Sequence, residues 1–189
     1  MPSRRPPKKG IACIESFWDT HVESRLSVAP LLQVIASSNR VRFIHLTCNT
    51  KGELEFALKS IPSRAPFKIL YFAFHGSEGK IDLADGSSLS LPELASTMGR
   101  KFSSWVFHFG TCGTINTDSR ELSRFMRGTG ASLLLGYKKD VDWIDSAAMD
   151  LILFDWMQSY KNMRAMWSYL KGNYRGLMAR TGLTVFPRG

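Results

Sequence analysis

Apolar positions along the chain fall into two kinds of block. The first kind is short and unbroken. Ile69-Leu70-Tyr71-Phe72-Ala73-Phe74 ends on His75-Gly76, and Trp105-Val106-Phe107-His108-Phe109 ends on Gly110-Thr111-Cys112-Gly113. Runs of this length, rich in aromatic and β-branched residues and stopped by glycine, read as strands buried on both faces of a parallel sheet. Strands are predicted on this basis over Ile11–Phe17, Val41–Leu46, Phe67–Phe74, Ser104–Phe109 and Ala131–Tyr137, with a short final one over Leu183–Phe186.

The second kind is periodic. Val28, Leu31, Leu32 and Ile35 recur at i, i+3, i+4 and i+7, with Ser27 as a cap and Pro30 in the first turn. Leu54, Ala57, Leu58 and Ile61 form one face of a second helix, capped by Asn49 or Thr50 and stopped by Pro62. Further helices are predicted from Pro92 to near Gly99, from Asp118 or Ser119 to Gly128, and from Asp145 or Ser146 through Met157. A last one carries Met163, Met166, Trp167, Leu170, Tyr174, Leu177 and Met178. Between Lys80 and Leu91 the alternation around Asp85-Gly86 predicts a small hairpin outside the main sheet. Strands alternating with helices give a three-layer α/β/α sandwich with a mostly parallel central sheet. The expected organisation is one domain over residues 10–189 behind a flexible basic arm at residues 1–9.

Composition narrows the function classes. No stretch reaches the roughly 18 apolar residues that span a bilayer, and the apolar run after the basic start is too short for a signal-peptide core. No membrane association is expected, and the expected compartment is the cytosol. Cys13, Cys48 and Cys112 are odd in number and carry no zinc-site spacing, so neither disulfides nor a metal or other cofactor is expected. The net charge of +9 is concentrated at the ends, since the residues before Gly10 carry four basic side chains and those from Lys161 onward carry six with no acidic partner. Contact with nucleic acid or an acidic partner is one reading of those ends. Solvated surface is the favoured one, because no aromatic–basic recognition motif accompanies the charge.

The chemistry sits at the ends of the two apolar runs. If both are parallel strands of one sheet, His75 and Cys112 emerge side by side on the edge where open α/β sheets place their sites. A thiol beside an imidazole suffices for nucleophilic catalysis. Taken singly, His75 reads better as a strand-end histidine and Cys112 as a small buried hydrophobe; it is the pair in this context that favours catalysis. Cys13 and Cys48 read as core residues, His108 and His45 as core histidines, and His21 as a surface residue.

Phe74-His75-Gly76, then Leu83-Ala84-Asp85-Gly86 with Ser90-Leu91-Pro92-Glu93-Leu94, then Phe109-Gly110-Thr111-Cys112 resemble the caspase–hemoglobinase superfamily (clan CD) of cysteine peptidases, and within it the bacterial CHAT-type branch. The resemblance extends to Gly136-Tyr137 with Asp142-Trp143 and covers most of residues 10–155. The His75–Cys112 spacing of 37 residues is shorter than the roughly 50 of caspases, and Gly110-Thr111-Cys112-Gly113 replaces their Gln-Ala-Cys-x-Gly, which fits a compact relative. The resemblance implies that Cys112 is the nucleophile and His75 the acid and base, with the backbone N–H groups of Gly76 and Cys112 as oxyanion hole. It further implies that the loop after strand one and the segment after strand five line the pocket for the residue before the scissile bond. Those segments carry Glu15 and Asp19, then Asp140, Asp142 and Asp145. The first two together with Asp140 and Asp142 are the expected substrate-binding residues, selecting Arg or Lys by charge. At even weight, Asp145 is a helix cap and the others are solvated loop residues.

Three functions remain open at this level. The first is a caspase-like endopeptidase acting on a protein or peptide, for which the resemblance implies a regulatory protein partner and a place in bacterial stress or defence signalling. The second is the same fold with an idle pair, serving as a binding module. The third, an amidotransferase-like hydrolase, is disfavoured because His precedes Cys.

Overall fold

The computed structural model describes residues 8–187 apart from 20, 22, 24, 25 and 64. Its strands are β1 (Gly10–Glu15), β2 (Phe43–Thr47), β3 (Phe67–Ala73), β4 (His75–Ser77), β5 (Lys80–Asp82), β6 (Ser88–Ser90), β7 (Val106–Phe109), β8 (Leu133–Tyr137) and β9 (Leu183–Phe186). Its helices are α1 (Ala29–Asn39), α2 (Lys51–Ser60), α3 (Leu91–Met98), α4 (Ser119–Thr129), α5 (Trp143–Ser159), α6 (Met163–Asn173) and α7 (Arg175–Thr181), with a 3-10 turn at Gly99–Phe102. The main sheet runs in the order β2-β1-β3-β7-β8-β9. Every neighbouring pair is parallel except β8 with β9. The expected three-layer sandwich is therefore present.

The period-two alternation of the strands divides the core into two layers. Leu70, Phe72 and Phe74 of the β3 run and Phe107 and Phe109 of β7 face a layer that holds Leu54, Leu58, Leu94, Leu122 and Phe125 of α2, α3 and α4. Ile69, Tyr71 and Val106 face the other layer with Leu32, Leu153, Phe154, Met157, Met166 and Met178 of α1, α5, α6 and α7. Phe72 stacks on Phe109 at 4.8 Å and meets Phe107 edge-on at 6.1 Å. Those rings hold β3 and β7 together across the face opposite the α5 layer.

Local chemistry explains most element ends. Thr50 and Glu53 form a reciprocal capping box on α2, and Ser90 and Glu93 form another on α3. Asp118 caps α4 and Asn162 caps α6. Helix α5 starts earlier than predicted, because Asp142, not Asp145 or Ser146, takes the free N–H groups of Ile144 and Asp145 at 2.9 and 3.1 Å. Ser27 does not cap α1 in the usual way: Val28 occupies the cap position and Ser27 Oγ accepts from Ala29 N at 3.1 Å. The predicted final helix is two, broken at Tyr174, whose backbone leaves the helical region. The predicted strands begin and end within two residues of their expected bounds, and β9 matches its prediction at both ends.

Residues 1–7 of the expected arm lie outside the described residues. Lys9 is not part of an arm. Its ammonium donates to the carbonyls of Met157 and Tyr160 at 2.7 and 2.8 Å, which are orphan acceptors at the C-terminal end of α5. Its backbone exchanges two hydrogen bonds with the buried Gln158 side chain.

The Phe72 contacts carry a measurable share of stability. Phe72→Ala removes a wholly buried ring and should cost about 3–5 kcal/mol. For a chain of this size that is a fall in Tm on the order of 10 °C in a thermal melt. A loss too small to measure would mean that the β3–β7 face is not packed as described.

Candidate active site

Parallel pairing of β3 with β7, in which Phe72 lies opposite Phe109, brings both strands to the surface at one edge. His75 follows β3 by two residues and Cys112 follows β7 by three. His75 is exposed and Cys112 half-buried, while Cys13 and Cys48 are buried. All three thiols are free. His75 does not simply end its strand. It opens β4, which turns antiparallel onto β5 and makes the predicted hairpin a three-stranded sheet.

Two glycines let the loop carrying Cys112 close onto its surroundings. A β-carbon at Gly76 would lie 2.4 Å from Thr114 Oγ1, 2.9 Å from Thr111 Cβ and 3.1 Å from the Cys112 carbonyl oxygen. One at Gly110 would lie 2.5 Å from the Tyr71 ring. No other residue type permits these approaches. The loop is then pinned: Thr111 Oγ1 donates to Thr114 Oγ1, which donates to the Lys80 carbonyl, each at 2.6 Å, and Gly79 N donates to the Thr114 carbonyl at 3.1 Å. The Cys112 loop and the small sheet are one assembly, which places the Gly76 backbone against Cys112.

Trp18 supplies a third group. Its carbonyl oxygen lies 2.7 Å from His75 Nε2. A carbonyl only accepts, so Nε2 is the donor in this contact and Nδ1 is left for other partners. The Trp18 indole also meets the His75 ring edge-on at 5.3 Å and Trp143 at 4.9 Å. Trp18 is held in turn by Glu15, whose carboxylate accepts from Trp18 Nε1, Ser27 Oγ and His45 Nε2 at 2.6 Å each and from Val28 N at 2.8 Å. Glu15 is only 3% exposed. Its oxygens are occupied beneath the cleft wall, so it positions that wall instead of facing a substrate. His45 is correspondingly half-buried and hydrogen-bonded to Glu15, and is not a core histidine.

The remaining predicted carboxylates lie on the surface near the same edge. Asp19 is exposed and accepts from His21 N at 2.7 Å. Asp140 is exposed on the loop after β8, and Asp142 is engaged as the α5 cap. Asp145 pairs with Arg180 at 2.6 Å. None of these is fully buried, whereas one carboxylate besides Glu15 is. That is Asp150 of α5, 2% exposed, which accepts from Tyr71 Oη and His108 Nε2 at 2.6 Å each and from Tyr137 Oη. His108 is buried as expected, although only half satisfied, since its Nδ1 finds no partner. Burial, followed by the charge of Asp150, pushes the phenols of Tyr71 and Tyr137 well up, so both stay donors.

A cavity of about 350 Å³ opens beside the pair, bounded by Trp18, Trp143, Val28, Leu31, Tyr71 and Asp150. A larger one of about 790 Å³ shares no lining residue with it. That one lies among α6, α7 and β9, where Arg164, Lys171 and Arg175 flank Trp167. Part of the C-terminal basic charge thus lines a groove and is not spread over an open helix face. Among the described residues no group of three His, Cys, Asp or Glu side chains is placed to hold a metal, and no helix is long and apolar enough to cross a membrane.

The Glu15 cluster is testable through pH. Burial alone would raise this carboxyl, but the donors His45, Ser27, Trp18 and Val28 outweigh it and hold the group below its ordinary 4.5. A depressed carboxyl contributes stability above its unfolded value that is lost as pH falls through the folded one. Glu15→Gln should therefore lower Tm near neutral pH by on the order of 5–10 °C, from about 1.5–3 kcal/mol of charged hydrogen bonding. The gap between variant and wild type should close as melts are taken below about pH 4.5. A gap independent of pH would show that the carboxylate charge plays no part.

Comparison with solved structures finds the Drosophila initiator caspase Dronc, with a TM-score of 0.53 and 10% identity, over 87% of this chain and 72% of that one. At that identity the likeness is one of fold, and the fold is caspase-like. No curated protein matches the chain. A family model matches residues 8–186, from the anchored Lys8–Lys9 segment to the end of β9. The chain is therefore a member of that family, the family of unknown function DUF6642.

Proposed function

We propose that this protein is a cysteine endopeptidase of the compact, CHAT-like kind within the caspase–hemoglobinase superfamily, with His75 and Cys112 as its catalytic pair. The observation that carries the reading is the Trp18 carbonyl on His75 Nε2. A nucleophile, a base and a third group that orients the base are the parts such catalysis requires.

The chemistry follows from the atoms. Cys112 Sγ attacks the carbonyl carbon of a bound peptide while its proton passes to Nδ1 of His75. The oxyanion faces the N–H groups of Gly76 and Cys112. Nδ1 returns the proton to the leaving amine, then takes one from the water that hydrolyses the thioester. Trp18 keeps Nε2–H engaged throughout, so one nitrogen serves every transfer. The cleft margin is acidic, with Asp19 and Asp140 exposed on it. A basic residue before the scissile bond suits that margin, and an acidic one meets like charge.

Thiol chemistry tests the assignment. Cys13 is buried and its thiol is pushed well up by burial and by Glu15 and Asp150, while burial and Glu53 raise Cys48 to about 11. Iodoacetamide should therefore modify Cys112 first, read by peptide mass mapping. Cys112→Ala should reduce peptide hydrolysis to background with Tm within about 2 °C of wild type. Hydrolysis that survives Cys112→Ala would rule the pair out, and an unreactive Cys112 would favour a binding module on the same fold.

A further inference from the structure

β9 is an edge strand of the main sheet, so part of its backbone has no neighbouring strand to face. Lys138 N donates to the Gly182 carbonyl, and the register sets Gly136 opposite Thr184. Bonded and non-bonded pairs alternate along an antiparallel ladder. Thr184 and Phe186 therefore turn their N–H and C=O groups to β8, while Leu183 and Val185 turn theirs to the open edge. Among the described residues nothing takes up those outward groups.

Two cavities flank this edge, one on each face of the sheet, and Thr184 and Val185 line both. The space of about 790 Å³ lies on the face of Met178 and Leu183, against α6 and α7. It carries Arg164, Lys171 and Arg175, all exposed, with Trp167 half-buried among them and no acidic lining residue. Among the described residues none of the three cations is ion-paired, and the chain from Lys161 onward contains no acid. The second space, of about 330 Å³, lies on the face of Ile115 and Leu122 and is walled by them and by Phe186, beside Thr117, Ser119 and Lys138.

An extended peptide laid along β9 sends alternate side chains to opposite faces, one set to each cavity. Its backbone meets the outward groups of Leu183 and Val185. A nucleic acid would answer the cations and Trp167, but its phosphates cannot pair with outward carbonyls. A second copy of β9 brings no acid, since Leu183–Phe186 has none, and a two-fold pairing would set the two basic grooves near each other.

We propose that the free edge of β9 is the docking site for an extended acidic segment of another protein. The segment adds as a strand, hydrogen-bonds to Leu183 and Val185, and directs its acidic side chains to Arg164, Lys171 and Arg175. The side chains between them are apolar and enter the smaller cavity. Neither cavity includes His75 or Cys112, so the proposal stands apart from the peptidase reading.

The probe is a fluorescein-labelled peptide of sequence Glu-Val-Glu-Val-Glu. It is titrated by anisotropy into the full chain carrying Cys112→Ala, so that it is not consumed if the pair is catalytic. It should bind at least about tenfold more tightly than the same residues rearranged with the three acids first, and than its Lys-Val counterpart. Arg164→Glu combined with Arg175→Glu, both at exposed positions, should weaken it by at least about tenfold. Val185→Pro removes an N–H that β8 does not use and should weaken it likewise. If that variant does not fold, the same bonds are tested from the ligand's side. N-methylating either the Glu amides or the Val amides of the peptide should weaken binding for one of the two sets. The amides of Leu183 and Val185 should gain protection from hydrogen exchange when the peptide is bound. Equal binding of the alternating and rearranged peptides, binding that neither N-methylated set weakens, or tighter binding of single-stranded oligothymidylate would overturn the proposal. A dimer of the free chain in which those two amides are already protected would overturn it as well.

Discussion

The pairing of β3 with β7 is the constraint on which the molecule depends. Both strands are buried on both faces, so their backbone groups must be satisfied within the ladder and cannot be left to water. A one-residue slip from the Phe72–Phe109 register would set the phenylalanine face of one strand against the Tyr71 face of the other. Because the pair is parallel, both chains leave the sheet on one edge, and the residues just beyond the ends are forced together. The cleft is the place where two buried strands first regain freedom to carry polar side chains.

Around that edge the sheet divides its polar tasks by depth. Glu15 lies under the wall, tying the β1 exit to the start of α1 and to β2 through one carboxylate. Asp150 lies deeper, binding three strands of the α5-facing layer to the helix through Tyr71, His108 and Tyr137. His75 and the loop acids Asp19 and Asp140 meet solvent, and Cys112 does so in part. Two buried anions in one small region are a poor arrangement for stability alone, since hydrophobic replacements of similar volume are often at least as stable. Their presence is better explained by what they position.

Much of this was legible in the chain, for identifiable reasons. The strands announced themselves because a strand buried on both faces must be apolar at every position, a strong signal even when its ends blur by a few residues. The order His75 before Cys112 carried the candidate pair for the same reason, since each follows such a run. The small sheet was half visible: the Asp85-Gly86 turn marks β5 and β6, but β4 is three residues long and owes its pairing to position. Trp18 was missed because its contribution to His75 is a backbone carbonyl, which no residue type advertises. Asp150 did leave a signal, a lone acid within Ala147 to Leu153 of an otherwise apolar helix. Nearer loop acids drew attention away from it, though burial of an acid is the more informative observation. Lys9 read as part of a basic tail because composition does not reveal that the end of a distant helix offers it two carbonyls.

The three-stranded sheet is fastened at both ends of its span. Its hairpin tip is tied to the exits of β1 and β2, with Ala84 N donating to Ser16 Oγ at 3.0 Å and Asp85 N to the Asn49 carbonyl at 3.1 Å. Its other end is bolted to the Cys112 loop through Lys80 and Gly79. A structure braced in this way has no private opening mode for either segment. The amides of β4 and β5 and those of the Thr111–Thr114 loop belong to one cooperative unit in hydrogen exchange. The thiol's surroundings therefore loosen only when the whole brace does, and a disturbance at the hairpin tip is felt at Cys112 across the width of the sheet's edge.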